Sequence, residues 1–239
     1  MNMAFISVAF ILLSLASCKK DNGSNVIITP PTKTPTKTPQ YTVYDEGVSG
    51  NTSADLVARL DPDVIALKPS LVTIMIGTND VRQNVPLSTY TANLTTLITS
   101  ILAVHGKVLL LSPPPHGRDT IKSTDPINNK TDTIATILDS LSKQYNCYYY
   151  DMNSAFKNAG SPNPTAASMI RNFANFPSAP DGIHLTPAGM TFVAANIFDF
   201  LKNNQLLNYY TIVCFGDSIT HQGGDESYPS QLQQLLKNN

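Results

Sequence analysis

The sequence predicts an α/β domain: a parallel sheet covered by helices on both faces. Three observations lead there. Leu71–Ile76 and Lys107–Leu111 are near-continuous apolar runs, the mark of strands buried on both sides. Segments of helical periodicity alternate with such runs along the chain, and that alternation builds parallel sheets. About 200 of the 239 residues follow a Pro/Thr-rich stretch, which is enough for one domain with a real core.

The elements follow in order. Tyr41–Tyr44 is a short strand. Thr52 or Ser53 caps a helix running to about Leu60, with Asp55 near its positive end. Pro62 and Pro69 punctuate the stretch before the strand at Leu71. Ser88 opens a helix to about Val104, whose Tyr90, Leu94, Leu97, Ile98 and Ile101 form one stripe. The strand at Lys107 is stopped by Pro113-Pro114-Pro115. A helix near Asn128–Gln144 carries Ile134, Ile137, Leu138 and Leu141 at helical spacing, and Cys147–Tyr150 is the next strand. Ala155–Pro180 is rich in Asn, Pro and Ser and reads as a long irregular region with room for one helical turn. Thr186 caps, and Pro187 begins, a helix to about Lys202. Thr211–Phe215 is the last strand and Tyr228–Lys237 the last helix.

Residues 1–18 read as a targeting segment. The apolar run Ala4–Ala16 is too short to span a bilayer comfortably. Leu15-Ala16-Ser17-Cys18 resembles a bacterial lipobox, in which the cysteine becomes the lipidated N-terminus, although no Lys or Arg precedes the run. Lys19-Lys20-Asp21 resembles the export signals of some surface lipoproteins. Residues 19–40 repeat Thr-Pro, which makes a semi-rigid spacer. The expectation is a bacterial cell-envelope protein, periplasmic or cell-surface, that meets the membrane only through an acyl chain on Cys18. Residues 41–239 are then the folded domain.

A net charge of −1 without a basic stripe argues against nucleic acid as a partner. No His/Cys/carboxylate cluster has metal-ligand spacing and no glycine-rich phosphate loop is present, so neither metal nor cofactor is expected. Cys147 begins one strand and Cys214 ends another. Buried free thiols are the favoured reading and a disulfide is the other.

Four short blocks carry the chemistry. Phe215-Gly216-Asp217-Ser218 follows a buried strand and precedes a helix, so Ser218 can stand at the carboxyl end of the sheet, where open α/β folds bind ligands. A serine hydroxyl needs a base within hydrogen-bond reach, and the base needs an orienting group. Asp181-Gly182-Ile183-His184 offers both: His184 as base and Asp181 to hold its other nitrogen. Gly47-Val48-Ser49-Gly50 and Gly77-Thr78-Asn79-Asp80 complete the set.

Together these blocks resemble the SGNH (GDSL) hydrolases, a family of serine esterases. In that family the GDS block comes first, at the end of the first strand; here it comes last. The resemblance therefore implies a flavodoxin-like three-layer α/β/α sandwich with a five-stranded parallel sheet, circularly permuted so that the central first strand, Thr211–Phe215, is C-terminal. It assigns the oxyanion donors to the backbone N–H groups of Ser218 and Gly50 and to the side-chain amide of Asn79. It also implies hydrolysis of short acyl esters, acetyl above all, on a small-molecule or polysaccharide substrate. A lysophospholipase or thioesterase would use the same residues, and a non-catalytic surface polysaccharide-binding lipoprotein is the alternative from another class. Asp45 departs from the family, which often has Asn there. His116, Arg171 and His221 are further candidates for substrate contact, as is Asn172 beside Arg171.

Overall fold

The structure, a computed structural model, describes residues 40–119 and 125–239. The leader, Cys18 and the spacer through residue 39 lie outside the described residues.

Five parallel strands make the sheet: β1 (Thr42–Gly47), β2 (Leu71–Met75), β3 (Lys107–Leu111), β4 (Tyr148–Tyr150) and β5 (Thr211–Gly216). Their spatial order is β1-β5-β2-β3-β4. The last strand in sequence lies between β1 and β2 as expected, with Cys214 opposite Asp45 on one side and Thr73 on the other, but it is second in the sheet and β2 is the central strand.

The apolar runs bury both faces with a period of two. Leu71, Met75, Leu109, Leu111, Ile212 and Cys214 point into one core cluster; Val72, Ile74, Val108, Leu110, Val213 and Phe215 point into the other. The first is covered by α6 (Met152–Asn158), α7 (Pro187–Asn203) and α9 (Tyr228–Lys237). The second is covered by α1 (Ser53–Ala58), α2 (Leu60–Asp63), α4 (Leu87–Ala103) and α5 (Pro126–Tyr145). The stripe Tyr90, Leu94, Leu97, Ile98 and Ile101 of α4 is fully buried, as its spacing requires.

Sequence and structure differ at short elements. The helix at Thr52 breaks after Ala58 and resumes as α2. Two helices were not anticipated: α3 (Thr78–Arg82), five residues long, and α6, seven. Neither is long enough to display a helical period. Gly77 starts α3 with φ of 132°, and Asp151 caps α6 by accepting the Ser154 N–H at 3.0 Å. Cys147 and Cys214 are free thiols, and burial pushes Cys147 up to about 11 and Cys214 up to about 12.

The two ends of the domain meet at β1. Gln233 on α9 donates to the carbonyl of Tyr41 at 3.1 Å and accepts from the N–H of Val43 at 2.9 Å.

Candidate active site

Ser218 is the first residue of α8 (Ser218–His221), directly after β5. Asp217 caps this turn by accepting the Ile219 N–H at 2.9 Å. The turn closes only because residue 216 is glycine. A Cβ there would lie 2.2 Å from Thr220 Oγ1 and 2.6 Å from the Met75 carbonyl. Ser218 therefore sits half-buried at the carboxyl end of the interior strand.

His184 reaches it from a separate loop. His184 Nε2 lies 3.1 Å from Ser218 Oγ, and Nδ1 lies 2.8 Å from Asp181 Oδ2. The other oxygen of Asp181 accepts the N–H groups of Ile183 and His184, each at 2.8 Å. Burial raises the Asp181 carboxyl, but these hydrogen bonds outweigh it and hold Asp181 below the usual carboxylate value. An ionised Asp181 accepts Nδ1–H, which leaves Nε2 as the acceptor facing the serine hydroxyl. The loop is itself pinned. Arg171 N–H donates to the His184 carbonyl at 2.9 Å, and Gly182 N–H donates to the Arg171 carbonyl at 3.0 Å.

The three expected oxyanion donors come from three elements. The N–H of Ser218 is in the first turn of α8, where no intrahelical acceptor exists. Gly50 takes φ of 83°, which glycine adopts freely, and its N–H has no acceptor among the described residues. Asn79 is buried in α3. One amide N–H of Asn79 donates to the Asn51 carbonyl at 2.9 Å, which fixes which side of the amide is nitrogen and leaves a second N–H. Asp217 Oδ2 lies 3.5 Å from that nitrogen.

Two carboxyls are buried behind these donors. Asp80 accepts the Ser53 hydroxyl at 2.6 Å and the Ser53 N–H at 3.1 Å, yet desolvation keeps it above its ordinary value. Asp217 is pushed up to about 7, by desolvation above all and to a smaller extent by the nearby Asp80 charge.

The pocket at Ser218 has a volume of about 170 Å³ and is lined by Ser49, Arg171, His184, Ser218, His221 and Gln222. Arg171 and His221 thus stand where substrate contact was expected. His221 Nδ1 is 3.3 Å from Asp45 Oδ2, and Asp45 also accepts the Gly47 N–H at 3.2 Å. His116 is not part of this lining. It is buried, its backbone N–H and carbonyl are both taken by the side chain of Asn128, and burial lowers its imidazole to about 4. Asn172 does not face substrate either: it is 1% exposed and its amide donates to the carbonyls of Asn163 and Thr165. Larger cavities of about 320 and 230 Å³ lie elsewhere and contain none of Ser218, His184 and Asp181.

Two residues at the site escaped the sequence reading. Gln222 bonds both backbone groups of Leu185, the neighbour of His184. Arg59 stacks over Phe215 at 4.5 Å and donates to the carbonyls of Glu46 (2.9 Å) and Gly216 (2.8 Å) and to Asn51 Oδ1 (2.7 Å). It thereby braces the residue that tethers Asn79. A position one turn after Ser218 was the only signal for Gln222, and Arg59 had none.

The model of the GDSL-like Lipase/Acylhydrolase family matches residues 31–192. That span holds the Gly50, Asn79 and His184 blocks and stops short of Ser218. An acetylxylan esterase from Geobacillus stearothermophilus is 32% identical over 125 residues, 48% of this chain and 55% of the relative. The chain thus spans about half the length of the curated relative it matches. The crystal structure of an acetylxylan esterase from Geobacillus stearothermophilus is 27% identical with a TM-score of 0.51, covering 65% of this chain and 68% of that one. A catalytic mutant of that esterase aligns over the same shares with a TM-score of 0.52.

Proposed function

Since this chain belongs to the GDSL-like lipase/acylhydrolase family, we propose that it is a serine esterase removing short acyl groups, acetyl above all, from carbohydrate. One observation carries the reading: Ser218, His184 and Asp181 stand in hydrogen-bonded series at the end of the interior strand. Ser218 Oγ attacks the ester carbonyl while His184 Nε2 takes its proton. Asp181 holds the imidazole in the tautomer that can accept and offsets its charge once protonated. The developing oxyanion sits among Ser218 N–H, Gly50 N–H and Asn79 Nδ2. His184 then protonates the leaving sugar oxygen. A water deprotonated by the same imidazole releases the acid from Ser218.

A short acyl group suits the pocket. Every side chain lining it is polar, which argues against a lysophospholipase or thioesterase that must hold a long alkyl chain. The carbohydrate part of the reading rests on likeness to acetylxylan esterase.

We further propose that the chain order is a circular permutation of the family's. A family match ending at residue 192 and structural matches covering 65% of the chain are what a displaced nucleophile block produces. Anchoring in a bacterial envelope through Cys18 is proposed from the sequence alone. Among the described residues no helix is long and apolar enough to cross a membrane.

The test is turnover of p-nitrophenyl acetate together with labelling by an organophosphonate ester. The label is expected on Ser218 and turnover is expected to vanish in Ser218→Ala. Full activity in that variant refutes the assignment.

A further inference from the structure

The pocket beside Ser218 contains a cation without an anion. Among the described residues no carboxylate lies within ion-pair distance of Arg171. Residues 120–124 carry no carboxylate in sequence. The two acids near the pocket are engaged, Asp181 by His184 and Asp45 by His221. Among the described residues the buried Nε–H of Arg171 has no acceptor. Its two Nη groups are not buried and donate to nothing among the described residues, so they are the donors this side chain offers to the pocket it lines.

The guanidinium is also held in place. Its central carbon lies 4.0 Å from the centre of the Phe176 ring, a stacking contact that leaves the donors in the plane free. The backbone of Arg171 is bonded to His184 and Gly182, so its distance from the imidazole is set. The loop itself is knit by asparagines: Asn172 accepts the N–H groups of Ala174 and Asn175, and Asn175 donates to the carbonyls of Ser168 and Ile170. Neutral amides thus fill the neutral positions of this loop, while the position lining the pocket is a permanent cation. Arg118, stacked 5.3 Å over the exposed ring of Phe173, adds a second positive charge beside Gly182.

We infer that Arg171 reads a carboxylate on the substrate: the acyl ester cleaved at Ser218 belongs to an acidic saccharide of the uronate class. The carboxylate accepts from the guanidinium edge, a pairing stronger and more directional than a hydroxyl contact. The inference rests on the esterase reading above and deepens it.

The test separates the two. Turnover of p-nitrophenyl acetate, lost in Ser218→Ala, reports on the esterase reading alone. Arg171 is read from the ratio of kcat/KM for O-acetylated oligogalacturonate over the same oligosaccharide with its carboxylates converted to amides. The acid form is expected to be preferred by tenfold or more at low salt, and the preference to shrink as ionic strength rises. Arg171→Gln should bring the ratio near one and Arg171→Lys should keep part of it. Calorimetric binding of unacetylated oligogalacturonate against its amide to Ser218→Ala reads the same preference without turnover. Equal ratios for acid and amide in the wild type, or an unchanged ratio in Arg171→Gln, overturn the inference even if p-nitrophenyl acetate is hydrolysed. Should Arg171→Gln fail to fold, the acid-to-amide ratio of the wild type still decides.

Discussion

Gln222 grips Leu185 at both of its backbone groups: its amide oxygen accepts the Leu185 N–H at 3.1 Å, and its amide nitrogen donates to the Leu185 carbonyl. One residue belongs to the segment that carries Ser218, and the other follows His184 directly. The contact therefore sets the gap between Ser218 and His184. Gln222→Ala is expected to lower kcat by about tenfold to a hundredfold, the usual cost of a misplacement near one ångström, with KM changed less. Gln222→Glu should not restore it, because a carboxylate cannot donate to Leu185. Steady-state kinetics on p-nitrophenyl acetate, with circular dichroism to confirm folding, decides it; a change in KM alone argues against a positioning role.

Asn79 and Arg59 are linked through Asn51. Asn79→Ala should cost roughly 10²–10³ in kcat, the scale for one lost oxyanion donor. Arg59→Ala should cost less, about tenfold, because it acts through the tether. The two losses should not add, since both end at the same donor; a double-mutant cycle measures this. Strict additivity would show that Arg59 supports the sheet end and nothing more.

In the proposed mechanism Asp181 orients and does not react. Asp181→Ala should leave more residual activity than His184→Ala or Ser218→Ala, each measured by kcat. Its carboxylate is held below the ordinary range, so its charge should persist well into the acid side of the pH profile. Equal losses in all three variants would contradict an orienting role.

Asp217 gives a stability test with a definite sign. The folded carboxyl keeps its proton up to about 7, against an ordinary value of 3.8. Between these values the folded state binds more protons than the unfolded, so this residue makes stability fall as pH rises through the window. Asp217→Asn keeps a good helix cap and removes that slope. The variant should gain on the wild type between about pH 4.5 and about pH 7.5 in urea midpoints, while the slope due to Asp80 remains in both. The same difference at both pH values would refute the buried-acid account.

Chain order should show in kinetics. The interior strand β5 must pair across a long sequence separation with β1 and β2, which raises contact order. A version with residues 209–239 moved between Gln40 and Tyr41 should refold faster and keep esterase activity. Slower refolding, or an inactive product, would count against permutation.

Much of this was legible because the physics is local. A buried parallel strand advertises itself by unbroken apolar residues, and Thr186-Pro187 states a helix start outright. The candidate reacting groups were legible because a serine after a buried strand and an Asp-x-x-His just before a helix have few other reasons to occur together. What stayed hidden depends on distant contacts. Nothing near Arg59 in sequence says that it bonds to Gly216, 157 positions away. His116 looked available after three prolines, yet its backbone is claimed by Asn128 on α5. The short helices α3 and α6 are fixed by a glycine and an aspartate at their starts and are too brief to leave a pattern.

The position of β5 makes the proposed catalytic machinery divisible. Everything through α7 supplies the base, its carboxylate and two oxyanion donors, and leaves a strand-wide slot between β1 and β2. The remaining stretch brings the nucleophile, the third donor and the strand that fills the slot, and Gln233 latches it to Tyr41 and Val43. Neither piece holds a working set of groups. Expressed apart, the two are matched halves of one reaction, and ester cleavage on mixing would report their reunion.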